Sequence, residues 1–171
     1  HGLLHGPTAF MQAFPRLHRA SLLAAREYLE PGAGSAVLDL YCGLGSTLRE
    51  WTDAGSASLG VELSGEAVKF AALNAPGATV LRGTCVQRLP QVRDWWTERA
   101  VTHLAYVNPP RSGLEDEVTA ALAETLRPAR IAYLSCSAGT LARDLGSFEA
   151  AGFSLDRILP YDFFPQTHHV E

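Results

Sequence analysis

The sequence predicts an α/β domain with a doubly wound, mainly parallel sheet, and three observations carry that prediction. Short apolar runs alternate with longer amphipathic stretches along the chain, the pattern of strands joined by crossover helices. The runs are apolar throughout rather than at every second residue, so each strand is buried on both faces, as in parallel sheets covered by helices. At 171 residues the chain is one domain and falls short of the roughly 250 residues of an eight-stranded α/β barrel, so the sheet is open.

Pro15 opens the first helix. Leu17, Ala20, Leu23, Ala24 and Leu29 give it an apolar face, and Pro31-Gly32 closes it after Glu30. Ala36-Val37-Leu38-Asp39-Leu40 is the first strand, with one acid near its end. A glycine turn follows, and Ser46 or Thr47 caps a helix reaching about Asp53. Ser58 to Glu62 is the second strand. Ser64 caps a helix through about Asn74, which Pro76-Gly77 stops. Thr79 to Arg82 is the third strand. Gln91 to Arg99 is a short helix carrying Trp95 and Trp96, one expected against the sheet and one half exposed. Thr102 to Val107 is the fourth strand, Glu115 to Leu126 a helix and Arg130 to Leu134 the fifth strand. Thr140 to Ala151 is a helix ended by Gly152, and Phe153 to Phe163 reads as a sixth, longer strand.

Composition narrows the function classes. At 47% hydrophobic the chain can bury a sizeable core. With 14 basic against 18 acidic side chains, net −4, it lacks an overall nucleic-acid-binding charge. Arg82, Arg88, Arg93, Arg111, Arg127, Arg130 and Arg143 leave room for a local basic face. No apolar run approaches the roughly 20 residues of a membrane span. The start, His1-Gly2-Leu3-Leu4-His5, has neither the basic flank nor the apolar stretch of a signal peptide. It lacks an initiator Met, so residues 1–171 are expected to be a piece of a longer protein. Cys42, Cys85 and Cys136 are odd in number and form no C-x-x-C pair. That argues against disulfides and a metal site, and for a reducing, cytoplasmic compartment.

Gly43-Leu44-Gly45 follows the first strand and opens a helix, which lets backbone approach a ligand closely. A dinucleotide fingerprint would have a third glycine where Leu48 stands, and no Lys-Ser/Thr follows as in a phosphate-binding loop. Glu62 ends the second strand, where an acid holds the hydroxyls of an adenosine ribose. Asp39, just before the turn, suits a cationic amino group of the same ligand. A ribose, an amino acid and no phosphate fit S-adenosylmethionine (SAM) better than NAD. Cys136 stands between the fifth strand and the last helix, at the sheet edge where open α/β domains bind ligands. The positive end of a helix dipole favours a thiolate at such a position.

These stretches together resemble the catalytic domain of the SAM-dependent RNA 5-methyluridine (uracil-C5) methyltransferases. Phe10-Met11-Gln12 resembles the family's F-x-Q segment, and Asp39 to Gly45 its D-L-Y-C-G-x-G loop. Asn108-Pro109-Pro110-Arg111-Ser112-Gly113 resembles D-P-P-R-x-G. Ser135-Cys136 with Thr140-Leu141-Ala142-Arg143-Asp144 resembles S-C-N-P-x-T-L-A-R-D, and the tail Phe164 to Glu171 ends, like the family's, on H-V-E. Asn108 stands in place of the usual Asp, Ser137-Ala138 in place of Asn-Pro, and Ser46 in place of the Asn after the glycine loop. After the third strand, Gly83-Thr84-Cys85 stands where an acid for the adenine amino group is expected.

The resemblance implies a Rossmann-like class I SAM-dependent methyltransferase over residues 1–171. It implies Cys136 as nucleophile and Glu171 as base. Gln12, Tyr41, Gly43, Gly45, Ser46, Glu62 and Asn108 would bind SAM, and Asn108 and Arg111 the substrate, a uridine of tRNA or rRNA. The chemistry asks for these residue types. C5 of uracil is a poor nucleophile until a thiolate adds at C6, and a separate base must then take the C5 proton. The target base must leave its stack to be reached. His168-His169 read as surface residues, and Trp95 and Trp96 as packing residues rather than a stacking platform. Two alternatives stand beside this reading. Asn108-Pro109-Pro110 is also the N-P-P of amino-group nucleic-acid methyltransferases, which place an aromatic where Arg111 stands. A non-catalytic RNA- or SAM-binding module derived from a methyltransferase is the other.

Overall fold

The computed structural model describes residues 2–6, 14–99 and 101–163. Its centre is a five-stranded sheet, parallel throughout: β1 (Ser35–Leu40), β2 (Ala57–Glu62), β3 (Thr79–Arg82), β4 (Thr102–Val107) and β5 (Arg130–Tyr133). The strand order is β3-β2-β1-β4-β5. The chain builds outward from β1 to β3, then returns to the other side of β1 for β4 and β5. The crevice between the carboxyl ends of β1 and β4 is therefore the topological switch point.

Among the described residues, six helices cover the two faces: α1 (Pro15–Leu29), α2 (Ser46–Asp53), α3 (Gly65–Asn74), α4 (Cys85–Thr97), α5 (Asp116–Ala120) and α6 (Ala138–Ala150). A π-helical turn, Ala121–Leu126, continues α5. Every residue of β1 is buried, and alternate residues serve opposite faces. Leu38 and Leu40 pack with α4, α5 and Phe148 of α6, whereas Val37 packs with Leu22 and Leu29 of α1, Trp51 of α2 and Ala71 of α3.

Local chemistry explains most boundaries. Pro15 occupies the first turn of α1, where its missing N–H is not needed. Ser64 Oγ accepts the Ala67 N–H at 3.3 Å and caps α3. Helix α4 begins at Cys85 rather than Gln91. A capping box, in which Thr84 Oγ1 accepts the Gln87 N–H and Gln87 Oε1 the Thr84 N–H, starts it upstream of Pro90. Pro90 sits inside the helix. Helix α2 has Gly45 as its N-cap, with no side-chain cap, in place of the expected Ser46 or Thr47. Both tryptophans of α4 are buried, which corrects the half-exposed expectation. Trp96 donates its indole N–H to Leu126 O at 2.9 Å and stacks on His103, and the Arg99 guanidinium lies over Trp95.

The sixth strand is absent: residues 153–163 join no ladder. The Phe153 N–H is tied back to Phe148 O, and Asp156 accepts the Tyr28 O–H of α1. Pro160 has no N–H to give a ladder. The segment thus runs across an open groove of about 590 Å³ from β5, lined by Tyr28, Ile131, Phe148 and Ile158 among others.

Candidate functional site

The strand register brings four strand ends to one edge. Leu40 of β1 lies beside Val61 of β2 and Val107 of β4, and Val107 beside Tyr133 of β5. Glu62, Tyr41, Asn108 and Leu134 are the next residues along the chain. The ladder runs on past the strands: the Cys42 N–H donates to Val61 O, Asn108 N–H to Leu40 O and Leu134 N–H to Val107 O. The glycine loop, Glu62, Asn108 and Cys136 therefore stand at the carboxyl edge of a single sheet.

In the glycine loop, Gly43 and Gly45 adopt φ of +53° and +79°. Beside Gly43 there is open space for a ligand, whereas a Cβ on Gly45 would lie 2.8 Å from Ala71 Cα. The first glycine leaves the loop face clear, and the second lets the loop seat against α3. Glu62 is locked to this loop. Its carboxylate accepts the Gly43 N–H at 3.0 Å and the Ser64 N–H at 2.7 Å, one on each oxygen. Each oxygen keeps a lone pair for a ribose hydroxyl. Ser46, the first residue of α2, is half-buried beside the loop. Asn74, at the end of α3, is a connection the sequence did not reveal. Its amide accepts the Leu4 N–H at 2.8 Å and donates to Leu4 O at 2.8 Å and to Leu44 O at 2.9 Å. It thereby ties the segment 2–6 to the glycine loop.

Tyr41 is one of three non-glycine residues with positive φ among the described residues, at +61°. Its phenol donates to the Glu115 carboxylate, and its ring packs on the α4–α5 face of the sheet. Cys85, the first residue of α4, completes this cluster. Burial pushes its thiol up to about 12, with the charge of Glu115 adding to the effect and Tyr41 opposing it. Burial also raises the Tyr41 phenol well above its ordinary value, with Cys85 and Glu115 adding to the effect. Burial likewise raises Cys42 well above the usual thiol range, with Asp39 and Glu62 contributing. Both thiols stay protonated and enclosed, which makes them packing residues. Cys136, half-buried at the mouth of the edge, is the most accessible of the three.

Asp39 is not a ligand-facing acid. It is fully buried and points to the α2 side of the sheet, where Trp51 Nε1 donates to Oδ2 at 2.9 Å. Oδ1 has no hydrogen-bond partner. Burial pushes its carboxyl up to about 7, with Thr47 and Trp51 opposing the shift. Its role is to hold α2, and with it the loop's helix start, onto β1.

Asn108 is half-buried at the end of β4, and Arg111 is exposed three residues further on. Cys136 stands two residues before the first residue of α6, with Ser137 as N-cap. Ser135 Oγ accepts the Ser137 N–H at 3.2 Å and donates to Ser137 O at 3.1 Å, which folds the turn around the thiol. Gln12 and Glu171, with the F-x-Q and H-V-E segments, lie outside the described residues. Among the described residues no cluster of three or more His, Cys, Asp or Glu side chains is placed to hold a metal ion.

Comparison with known proteins bears out the resemblance. Residues 92–171 match the model of the tRNA (uracil-5-)-methyltransferase family. An uncharacterized RNA methyltransferase of Lactococcus lactis, YljE, is 36% identical over 152 residues, covering 86% of this chain and 32% of the relative. Another from Gloeobacter violaceus is 34% identical over 172 residues, covering 96% and 35%. The chain thus spans about a third of the length of the curated relatives it matches. Among solved structures, the Pyrococcus abyssi tRNA (uracil-54, C5)-methyltransferase in complex with S-adenosyl-L-homocysteine superposes with a TM-score of 0.73. It is 25% identical and covers 96% of this chain and 39% of its own. A Geobacter metallireducens precorrin-6y C5,15-methyltransferase, 15% identical, superposes at 0.67 over 89% of this chain and 77% of its own and shares the fold alone. The fold is that of the Rossmann-like SAM-dependent methyltransferases.

Proposed function

We propose that this chain, a relative of the tRNA (uracil-5-)-methyltransferases, is the catalytic domain of a cytoplasmic, SAM-dependent RNA methyltransferase that acts on C5 of a uridine in tRNA or rRNA. The observation that carries the reading is the meeting of the Gly43–Gly45 loop, Glu62, Asn108 and a half-buried Cys136 at one sheet edge. The residues present suit the cofactor: an open face at Gly43, and a loop-locked carboxylate at Glu62 with lone pairs to spare. Tyr41, Gly45, Ser46, Asn108 and Gln12 would complete that site. SAM, when bound there, supplies an electrophilic methyl group.

The protein's own part is nucleophilic and acid–base. The Cys136 thiolate adds to C6 of uracil, forming an S–C6 bond and moving the C5–C6 π electrons onto C5 and O4. Asn108 and Arg111 would supply the donors that stabilise that developing enolate oxygen. C5, now nucleophilic, would take the methyl group, with S-adenosylhomocysteine as the leaving group. The Glu171 carboxylate then takes the C5 proton. The freed electron pair restores the C5–C6 double bond, and the S–C6 bond breaks to return the thiolate.

The test is adduct trapping in the full-length protein. RNA carrying 5-fluorouridine should form an adduct that survives denaturation, because fluorine cannot leave as a cation. Cys136→Ala should abolish it while leaving S-adenosylhomocysteine affinity unchanged. Full methyl transfer by Cys136→Ala would overturn the thiol mechanism and favour an amino-group acceptor.

A further inference from the structure

We propose that Asp144 is a positioning residue for this reaction, locking the 111–114 loop onto α6 so that Arg111 and Asn108 keep a fixed place relative to Cys136. The proposal rests on the uridine-C5 reading. Asp144 lies on the second turn of α6 and its side chain is 2% exposed. Its Oδ1 accepts Arg143 Nε at 2.8 Å and Nη2 at 2.7 Å. Its Oδ2 accepts the Tyr133 O–H at 2.7 Å and the Leu114 N–H at 2.9 Å. Arg143 Nη2 donates onward to the carbonyls of Ser112 at 3.1 Å and Leu114 at 3.0 Å. One turn nearer the helix start, Thr140 Oγ1 donates to Arg111 O at 3.2 Å.

Arg111, Ser112 and Leu114 of the loop are therefore held by hydrogen bonds from α6. Gly113 fits where nothing larger would. Its φ is +77°, and a Cβ there would lie 2.6 Å from Arg143 Nη2 and 2.7 Å from Asp144 Oδ2. An ion pair with one half-exposed partner, as Arg143 is here, is a poor source of stability. What this one supplies is geometry. The helix that carries Cys136 at its start carries the substrate-side loop on its first two turns. Tyr133 ties in β5, the strand leading to Cys136. Nucleophile and uracil-edge donors form one rigid body, as orientation-dependent catalysis requires.

The test uses the full-length protein with Asp144→Asn, Arg143→Ala and Tyr133→Phe. Asp144→Asn keeps the shape and an acceptor for Leu114 while releasing Arg143. In the first two variants adduct formation with 5-fluorouridine RNA should slow about ten- to a hundredfold. Tyr133→Phe should show a smaller loss. S-adenosylhomocysteine affinity should stay within about twofold in all three, since the cofactor side is untouched. Independently of chemistry, tryptic cleavage after Arg111 should rise about tenfold in Asp144→Asn, with cleavage after Arg82 unchanged. Adduct formation at the unmutated rate, or unchanged cleavage after Arg111, would overturn the proposal. So would parallel loss of cofactor binding, which marks a general stability residue. If the unmutated protein forms no adduct, the uridine-C5 reading fails, and cleavage after Arg111 alone decides the clamp.

Discussion

Replacing Asp39 with Asn should make the protein more stable, and the gain should grow with pH. Asp39 is fully buried, with Trp51 Nε1 on one oxygen and nothing on the other. Its carboxyl is raised from 3.8 to about 7, with burial the main cause. A raised folded-state value means that the folded protein holds a proton the unfolded chain has already lost. The associated stability is fully present below about pH 4 and is lost as pH rises through about 7. Three pKa units at 1.36 kcal/mol each correspond to about 4 kcal/mol, a large share of the roughly 5–15 kcal/mol of a typical domain. Asn has nearly the same shape, accepts the same indole N–H and carries no charge to bury. Urea unfolding of both proteins at pH 4.5, 6, 7 and 8 reads the difference. It should be small at the lowest pH and approach about 4 kcal/mol at the highest. Other titrating groups cancel, because they are common to both proteins. A difference independent of pH, or an unmutated protein that is the more stable at pH 8, would refute the burial argument.

Two further outcomes follow from the glycine loop. Glu62→Ala removes a charged acceptor from the Gly43 and Ser64 amides and from the proposed ribose contact, so calorimetry should show S-adenosylhomocysteine affinity falling about ten- to a hundredfold. Gly45→Ala places a Cβ 2.8 Å from Ala71 Cα at a left-handed backbone position, and urea midpoints should report a loss of about 1–3 kcal/mol.

The sequence disclosed what is decided locally. Ser64 and Pro76 bound α3 through neighbours a few residues away, and the end of β3 came from a run of four residues. The site's edge was legible for the same reason: Glu62 ends a strand, Asn108 and Cys136 each come after one, and parallel strands share one carboxyl edge. The starts of α2 and α4 were misread for local reasons, Gly45 as cap and the Thr84–Gln87 capping box. The other misreadings depend on partners reached through the fold. Trp96 is buried because Leu126 O and the His103 ring meet it. Residues 153–163 read as a strand, yet they join no ladder, and Asp156 accepts the Tyr28 O–H of α1. Asp39 looked like a ligand-facing acid until Trp51, twelve residues on, accounted for it. Asp144 was visible only as one letter of a motif, because its partners Tyr133 and Leu114 reach it through the fold.

The Asn74 amide redraws the outline of the domain. Among the described residues, α1 at Pro15 is the first helix, and residues 2–6 belong to no helix or strand. Asn74 instead pairs with Leu4 through both its N–H and its C=O, as an adjoining strand would, while its second amide hydrogen steadies Leu44 in the glycine loop. Trimming to Pro15 would leave that buried amide without its main partner beside the glycine loop. Residues 2–6 thus belong to the packing of this loop, and a shortened protein should retain Leu4.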